Sequence, residues 1–470
     1  MQRSIFIKII LGLIIAVGLA SCSTTTFSPA STSSSALSPE SYHTTLWEGN
    51  ADTIWNKLQA TPPSRLAALQ RETSDPTQNA WLQLALISKR NSVNTQQLAH
   101  QLIIWRNSNP SHPANQLLPN DEILNQLQNA AAPQQIALLL PQSGPFGTSG
   151  RAVREGFLNA YYANLSKAGQ QRVKFYDTAS TPSMAALHQQ AVAEGADFVI
   201  GPLIKDQVQQ LSKSGSFTSP TLALNYTTLY WGSLPTNFYE FGLLPEDEVA
   251  QIADRAHETG RSRAIIIAPQ NVWGKRLVSA FSTRWQSIGG SIQETWYYSA
   301  NTDFNQEIAR LLKVNLSQDK QLMKEGGNKE SLQNQRRQDF DVIFLFAQPQ
   351  PARAILPLLR YYYAGDVPVY ATSSIYSGKL NPAKDADLNG VIICDIPWTK
   401  QLARMRSDDE VSSDRLYAVG QDAYLLSQTL QRLTYLPNFP IYGRTGALTL
   451  SSTHQIHRRL PCTVIRNERA

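Results

Sequence analysis

The chain holds 470 residues, with 42 Lys and Arg against 36 Asp and Glu, a formal charge of +6 and only 17% charged side chains. That length suits two or three domains rather than one small module. The positive excess is mild, and Arg3 and Lys8 carry part of it at the extreme N-terminus; this excludes the dense basic stripe of a nucleic-acid binder.

Arg3 and Lys8 flank an uncharged apolar run over 9–20. The run is short for a permanent membrane-spanning helix and suits a cleaved export signal. It closes on Leu19, Ala20, Ser21 and Cys22. Small residues let the chain enter a peptidase site extended, and the Cys22 thiol offers a nucleophilic sulfur for a diacylglycerol group. The motif resembles that of bacterial lipoproteins, so 1–21 is expected to be signal peptide and Cys22 the lipid attachment. Acyl chains there would hold the protein at a membrane by about 0.8 kcal/mol per buried CH₂. Ser23 stands where an Asp, in lipoproteins of this kind, marks inner-membrane retention. The resemblance therefore implies the outer membrane, facing the periplasm.

Residues 22–41 are dominated by Ser, Thr, Ala and Pro and read as a flexible tether. Residues 42–130 have helical periodicity. Apolar sets recur around Trp47 and Trp55, around Trp81 and Leu84, and around Leu98, Leu102 and Trp105. Pro62, Pro63, Pro76 and Pro110 punctuate them. Short helices of this kind fit a small all-α domain, either a tetratricopeptide-like solenoid or a plain helical hairpin bundle.

From Pro133 the pattern changes to α/β. Apolar runs over 136–140, 173–176, 198–200 and 221–224 alternate with helical stretches over 152–165 and 185–193 and a helix beginning near Val208. After Pro245 a second series begins, with strands over 264–268, 292–297, 342–346 and 367–370 between helices over 248–257, 275–288, 304–312 and 352–362. Continuous apolar strands alternating with helices predict parallel sheets covered on both faces. Two series predict two lobes with a cleft between them. Residues 315–338 are polar, contain Gly326 and Gly327, and read as a mobile surface loop.

The segment LLLPQSGPFGTSGRAVREGFLNAYY at 138–162 resembles the opening of the type I periplasmic binding proteins. GADFVIGPLIKDQV, RRQDFDVIFLFAQPQPARAILPLLRYYYAGDVPVYATSSIYSG and LNGVIICDIPW resemble the LppC family of lipoproteins. That resemblance covers roughly 133–460. It implies a two-lobe type I periplasmic-binding-protein-like domain over 133–470, with lobe one at 133–243 and 376–440 and lobe two at 244–375 and 442–470. It also implies a function: an outer-membrane lipoprotein that binds and activates a class A penicillin-binding protein, a peptidoglycan synthase. The helical segment is short beside the long N-terminal arm of the family's enteric member, which implies a shorter reach.

The loop holding Ser143, Gly144 and Phe146 lies at the C-terminal end of the first strand, where open α/β sheets bind ligands. With Asn225, Tyr226 and Trp273 it makes the candidate lining of a ligand cleft, and it underlies the alternative function of a solute receptor for an amino acid or cell-wall fragment. The resemblance favours a scaffold, so a small-molecule ligand is not the expected use. No nucleophile motif, P-loop lysine or zinc spacing is present, so neither catalysis nor a cofactor nor a metal is expected. His454 and His457 read as surface histidines, and Asp339 and Asp341 as a loop end. Tyr361, Tyr362 and Tyr363 read as packing under the lobe. Arg458, Arg459, Arg466 and Arg469 read as a solvated tail. Cys394 and Cys462 remain in an oxidising compartment, where pairing is open and two free thiols are the preferred expectation.

Overall fold

A computed structural model describes residues 46–164, 171–227, 234–315, 324, 336–376, 382–397 and 411–466. The expected signal peptide, the tether, Cys22 and most of the 315–338 loop lie outside the described residues. The chain divides into Met1–Gly49, of which only 46–49 are described, and a compact Asn50–Ala470.

Five α-helices open the compact unit: α1 (Ala51–Ala60), α2 (Pro63–Glu72), α3 (Pro76–Arg90), α4 (Thr95–Ser108) and α5 (Asp121–Gln128). Their starts are written in the sequence. Asn50, Asp75, Asn94 and Asn120 each accept a first-turn N–H through the side chain. Pro63 and Pro76 occupy first helical positions, where no donor is lost. The apolar stripes meet in a core of Trp55, Leu58, Leu66, Trp81, Leu84, Leu98, Leu102 and Trp105, all 3% exposed or less. The buried Trp105 indole donates to the Ala80 carbonyl at 3.0 Å, which pins α4 to α3.

The α/β body begins with β1 (Gln135–Leu140), then α6 (Gly147–Ala163), β2 (Arg172–Asp177), α7 (Met184–Ala193), β3 (Phe198–Ile200), α8 (Lys205–Ser212), β4 (Thr221–Ala223) and β5 (Phe238–Glu240). These strands form a parallel sheet in the order β2-β1-β3-β4-β5. Every residue of β1, β3 and β4 is buried, as the continuous apolar runs require for a two-sided sheet. The second series gives α9 (Pro245–Glu258), β6 (Arg263–Pro269), α10 (Val272–Ser287), β7 (Ser291–Tyr298), α11 (Phe304–Leu311), β8 (Val342–Leu345), α12 (Pro349–Tyr361) and β9 (Val369–Thr372). Then follow β10 (Ile392–Cys394), the long α13 (Val411–Tyr435), β11 (Ile441–Tyr442), β12 (Ala447–Leu450), β13 (Ile456–Arg459) and β14 (Cys462–Val464). The second sheet runs β14-β10-β9-β8-β6-β7, parallel except for β14. A small antiparallel sheet, β11-β12-β13, packs on lobe one and is linked to β5 by a parallel bridge between Glu240 and Gln455.

Two lobe boundaries differ from the sequence expectation. The sequence assigns 376–440 to lobe one, but β10 within it pairs with β9 and extends the sheet of lobe two. Residues 442–459 were placed with lobe two, but Leu448 and Ile456 pack into the lobe-one core with Leu138, Val153, Phe157, Val419 and Tyr424. Register, not sequence proximity, decides membership.

The cysteines are also corrected. Cys394 and Cys462 are directly opposed in the β10–β14 ladder and form a disulfide, with Cα atoms 3.9 Å apart. The sequence favours free thiols because nothing in it brings positions 68 residues apart together; an antiparallel final strand does so.

Lobe one is closed by α13 lying on α6. The contact is close because both helices present glycine: a Cβ on Gly156 would stand 1.9 Å from the Tyr417 carbonyl oxygen, and one on Gly420 2.0 Å from that of Val153. Gly156→Ala is expected to cost about 1–3 kcal/mol by forcing the helices apart, measured as a lower urea midpoint at unchanged slope. In the same lobe the buried His188 bonds Thr221 through Nε2 at 2.8 Å and meets Phe217 edge-on. Burial lowers its pKa to about 4. The unfolded chain therefore binds the extra proton between about pH 6.5 and 4, and stability falls as pH drops through that window. His188→Gln is expected to flatten that acid limb of a stability-against-pH curve.

Candidate functional site

The β1 loop lies where its sequence predicted. Gln142 is held from both sides: its backbone N–H donates to Asp177 Oδ1 at 2.9 Å, and its Oε1 accepts from Arg154 at 2.7 Å. Ser143, Gly144 and Phe146 then stand exposed, with Gly144 at φ +69°, a left-handed turn that only glycine adopts cheaply. Helix α6 starts at Gly147 with no side-chain cap. Phe146 is 49% exposed.

The other candidates are engaged elsewhere. Asn225 Nδ2 donates to the Leu203 carbonyl at 3.0 Å, and its Oδ1 accepts from the Tyr226 N–H at 2.9 Å. Tyr226 is buried and donates its hydroxyl to the Ile456 carbonyl at 2.6 Å. Trp273 is half-buried at the start of α10 and packs against the lobe-two core, beside the fully projecting Val272. Three of the six named residues are thus exposed at the C-terminal end of β1, Asn225 is fastened to the loop after β3, Tyr226 to the small sheet, and Trp273 belongs to a helix of lobe two.

A group of charged residues at the crossing between the lobes has no counterpart in the sequence expectation. Glu248, in the first turn of α9, is buried and accepts from Ser373 N and Oγ at 2.9 and 3.1 Å. Burial holds its carboxyl above the usual carboxylate range, against the pull of Arg458. Arg415 donates to Asp395 at 2.8 Å. Asp247 accepts from His457 Nδ1 at 2.8 Å and from the Arg458 N–H at 3.0 Å. Arg458, read from sequence as part of a solvated tail, is 2% exposed, and its guanidinium makes no hydrogen bond to a described residue. His457, read as a surface histidine, is partnered by Asp247, which raises its pKa. The acidic first turn 246–248 was the available signal, and by itself it says only that a helix begins. Asp341 accepts from the N–H groups of Ser262 and Arg263, and Asp339 pairs with Arg337, so both close loops. Tyr362 is buried and donates to Asn305, whereas Tyr361 is 63% exposed and does not pack beneath the lobe. Among the described residues no three His, Cys, Asp or Glu side chains could hold a metal, and no helix is long and apolar enough to cross a membrane.

Two α/β lobes joined at a polar crossing, behind a helical module, match the family described as "LppC putative lipoprotein" over residues 36–465. The chain belongs to the LppC family. Among its LppC relatives, the "Penicillin-binding protein activator LpoA" of Photobacterium profundum is 28% identical over 433 residues, covering 89% of this chain and 70% of that protein. The protein of the same name from Vibrio vulnificus is 29% identical over 87% of this chain. In structure, Haemophilus influenzae LpoA matches with a TM-score of 0.60 at 24% identity, over 88% of this chain and 72% of that one. A "putative branched-chain amino acid ABC transporter" from Chromobacterium violaceum matches with a TM-score of 0.54 at 26% identity, over 70% of this chain and 99% of the other. The fold is therefore that of a periplasmic-binding-protein-like body carrying a helical N-terminal module.

Proposed function

We propose that this LppC protein is anchored by a lipid on Cys22 to the outer membrane, faces the periplasm, and binds and activates a class A penicillin-binding protein. One observation carries the reading: relatives aligned over nearly nine-tenths of the chain bear the name penicillin-binding protein activator. The fold is compatible with it. Asn225 and Tyr226 spend their polar groups inside the body, which suits a scaffold better than a solute trap. Activation requires that the protein bind the active synthase conformation more tightly than the inactive one. No catalytic step is assigned to the chain itself.

The exposed Ser143, Gly144 and Phe146 loop supports the second reading, a receptor for an amino acid or cell-wall fragment. Both readings meet one experiment. Immobilised chain is incubated with detergent-solubilised envelope whose synthases carry a fluorescent penicillin. Retention of a class A synthase supports the activator. Absence of retention, together with a solute-dependent rise in melting temperature, supports the receptor.

A further inference from the structure

In a two-lobe protein the hinge bends where residues are free to change φ and ψ. The last lobe crossing, residues 454–460, has no such freedom. Its first half is fastened to lobe one. The Glu240 N–H donates to the His454 carbonyl at 3.1 Å, Gln455 Nε2 donates to Glu240 Oε2 at 2.9 Å, and the Tyr226 hydroxyl donates to the Ile456 carbonyl at 2.6 Å. Its second half is fastened to α9 of lobe two. Asp247 takes the His457 ring and the Arg458 N–H, the Arg458 carbonyl accepts from Gln251 Nε2 at 2.9 Å, and the Leu460 N–H donates to Gln251 Oε1 at 2.5 Å.

From His457 on the segment is fastened to both lobes at once: His457, Arg458 and Arg459 stand opposite Thr449, Leu448 and Ala447 of β12 in lobe one, while α9 of lobe two takes the His457 ring and the Arg458 backbone. Ile456 buries its side chain in the lobe-one core and gives its carbonyl to Tyr226, while the next residue, His457, is bonded to Asp247. Leu460 is buried in a lobe-two core, and two residues later Cys462 is covalently joined to Cys394 of β10. Rotating one lobe against the other by enough to close a cleft would therefore stretch either the β12 ladder or the α9 bonds of residues 457–459, and such bonds weaken steeply once distance or angle departs from the optimum.

We propose that residues 454–460 form a strap that holds the two lobes at one relative orientation, so that the body is a rigid block rather than a closing clamp. This inference is independent of the synthase reading, since a rigid body could serve either. Asp247 and Gln251 are its fastening residues on lobe two, and Tyr226 and Gln455 on lobe one. The strap accounts for the burial of Arg458: its backbone is clamped on both sides by α9.

The test uses the full chain in detergent, with Gln189→Cys and Ser279→Cys carrying spin labels on exposed helix positions of lobes one and two. The native disulfide leaves Cys394 and Cys462 unlabelled. Double electron–electron resonance is expected to give one narrow interlobe distance. Adding Asp247→Ala with Gln251→Ala is expected to broaden that distribution at least twofold while the circular dichroism melt remains cooperative. A bimodal distance in the otherwise unchanged chain overturns the strap, as does an unaltered width in the folded double variant. Should that variant not fold, Tyr226→Phe with Gln455→Ala is measured in its place, and the same two readings decide.

Discussion

Reducing the Cys394–Cys462 disulfide, or replacing both cysteines by alanine, is expected to lower stability by about 4 kcal/mol. The bond closes a loop with a sequence separation of 68, and the chain-entropy relation for a loop of that size gives about that value. It also ties a three-residue edge strand to the sheet: β14 reaches only β10, and its apolar cover is partial. Without the covalent link the tail's strand pairing must hold by a few ladder bonds alone. Urea titrations with and without reductant read the loss directly. A midpoint unmoved by reductant, with free thiols confirmed by labelling, would show that β14 is held without the bond.

Arg432→Ala is expected to be comparably damaging, at about 3–5 kcal/mol, and to loosen the helical module. Arg432 lies on α13 and is completely buried. Its guanidinium donates to the carbonyls of Ser92 and Asn91 in the helical module and, at 3.1 Å each, to those of Phe439 and Pro440 in the body. Among the described residues no carboxylate accompanies it, and burial lowers its pKa to about 9. Removing it strands several buried acceptors and leaves a large hole, each penalised separately. Around it, the Trp55 and Phe439 rings meet tilted with centroids 4.7 Å apart, Trp55 donates to the Asn438 carbonyl, and Lys89 donates to Gln59 O and Tyr442 Oη at 2.7 and 2.8 Å. The module is thus keyed to the end of α13 and the residues after it. Limited proteolysis is expected to cut Arg432→Ala between α5 and β1 under conditions that spare the parent chain. Equal resistance of the two would place the docking energy elsewhere in that interface.

How much of this was legible depends on the range of the interaction. The run at 136–140 announced β1 because a strand buried on both faces must be apolar throughout, and Pro62, Pro63 and Pro76 announced the breaks before α2 and α3 because a proline at a helix start is a local device. Strands β5, β10 and β14 have three residues each, too few for a period to show, and their identity is a matter of which sheet receives them. The same long-range register hid the disulfide and misplaced residues 382–397. Basic character misled at Arg458: in a C-terminal cluster it reads as solvated, but its position on the inward face of β13 beside Ile456 buries it. The exposed turn at Ser143, Gly144 and Phe146 was legible because a β-strand followed by a Gly-Pro turn is a sequence pattern. The commitments of Asn225 and Tyr226 to Leu203 and Ile456 were not, since the second partner is 230 residues away.

The central claim is that this LppC body acts on a peptidoglycan synthase by contact. It is tested most directly by adding the purified chain, free of detergent-soluble contaminants, to a purified class A penicillin-binding protein turning over lipid-linked disaccharide-peptide substrate. The account predicts a saturable rise in glycan polymerisation or peptide cross-linking that tracks complex formation. An unchanged rate at concentrations where the chain is folded, with no complex detected, would contradict it.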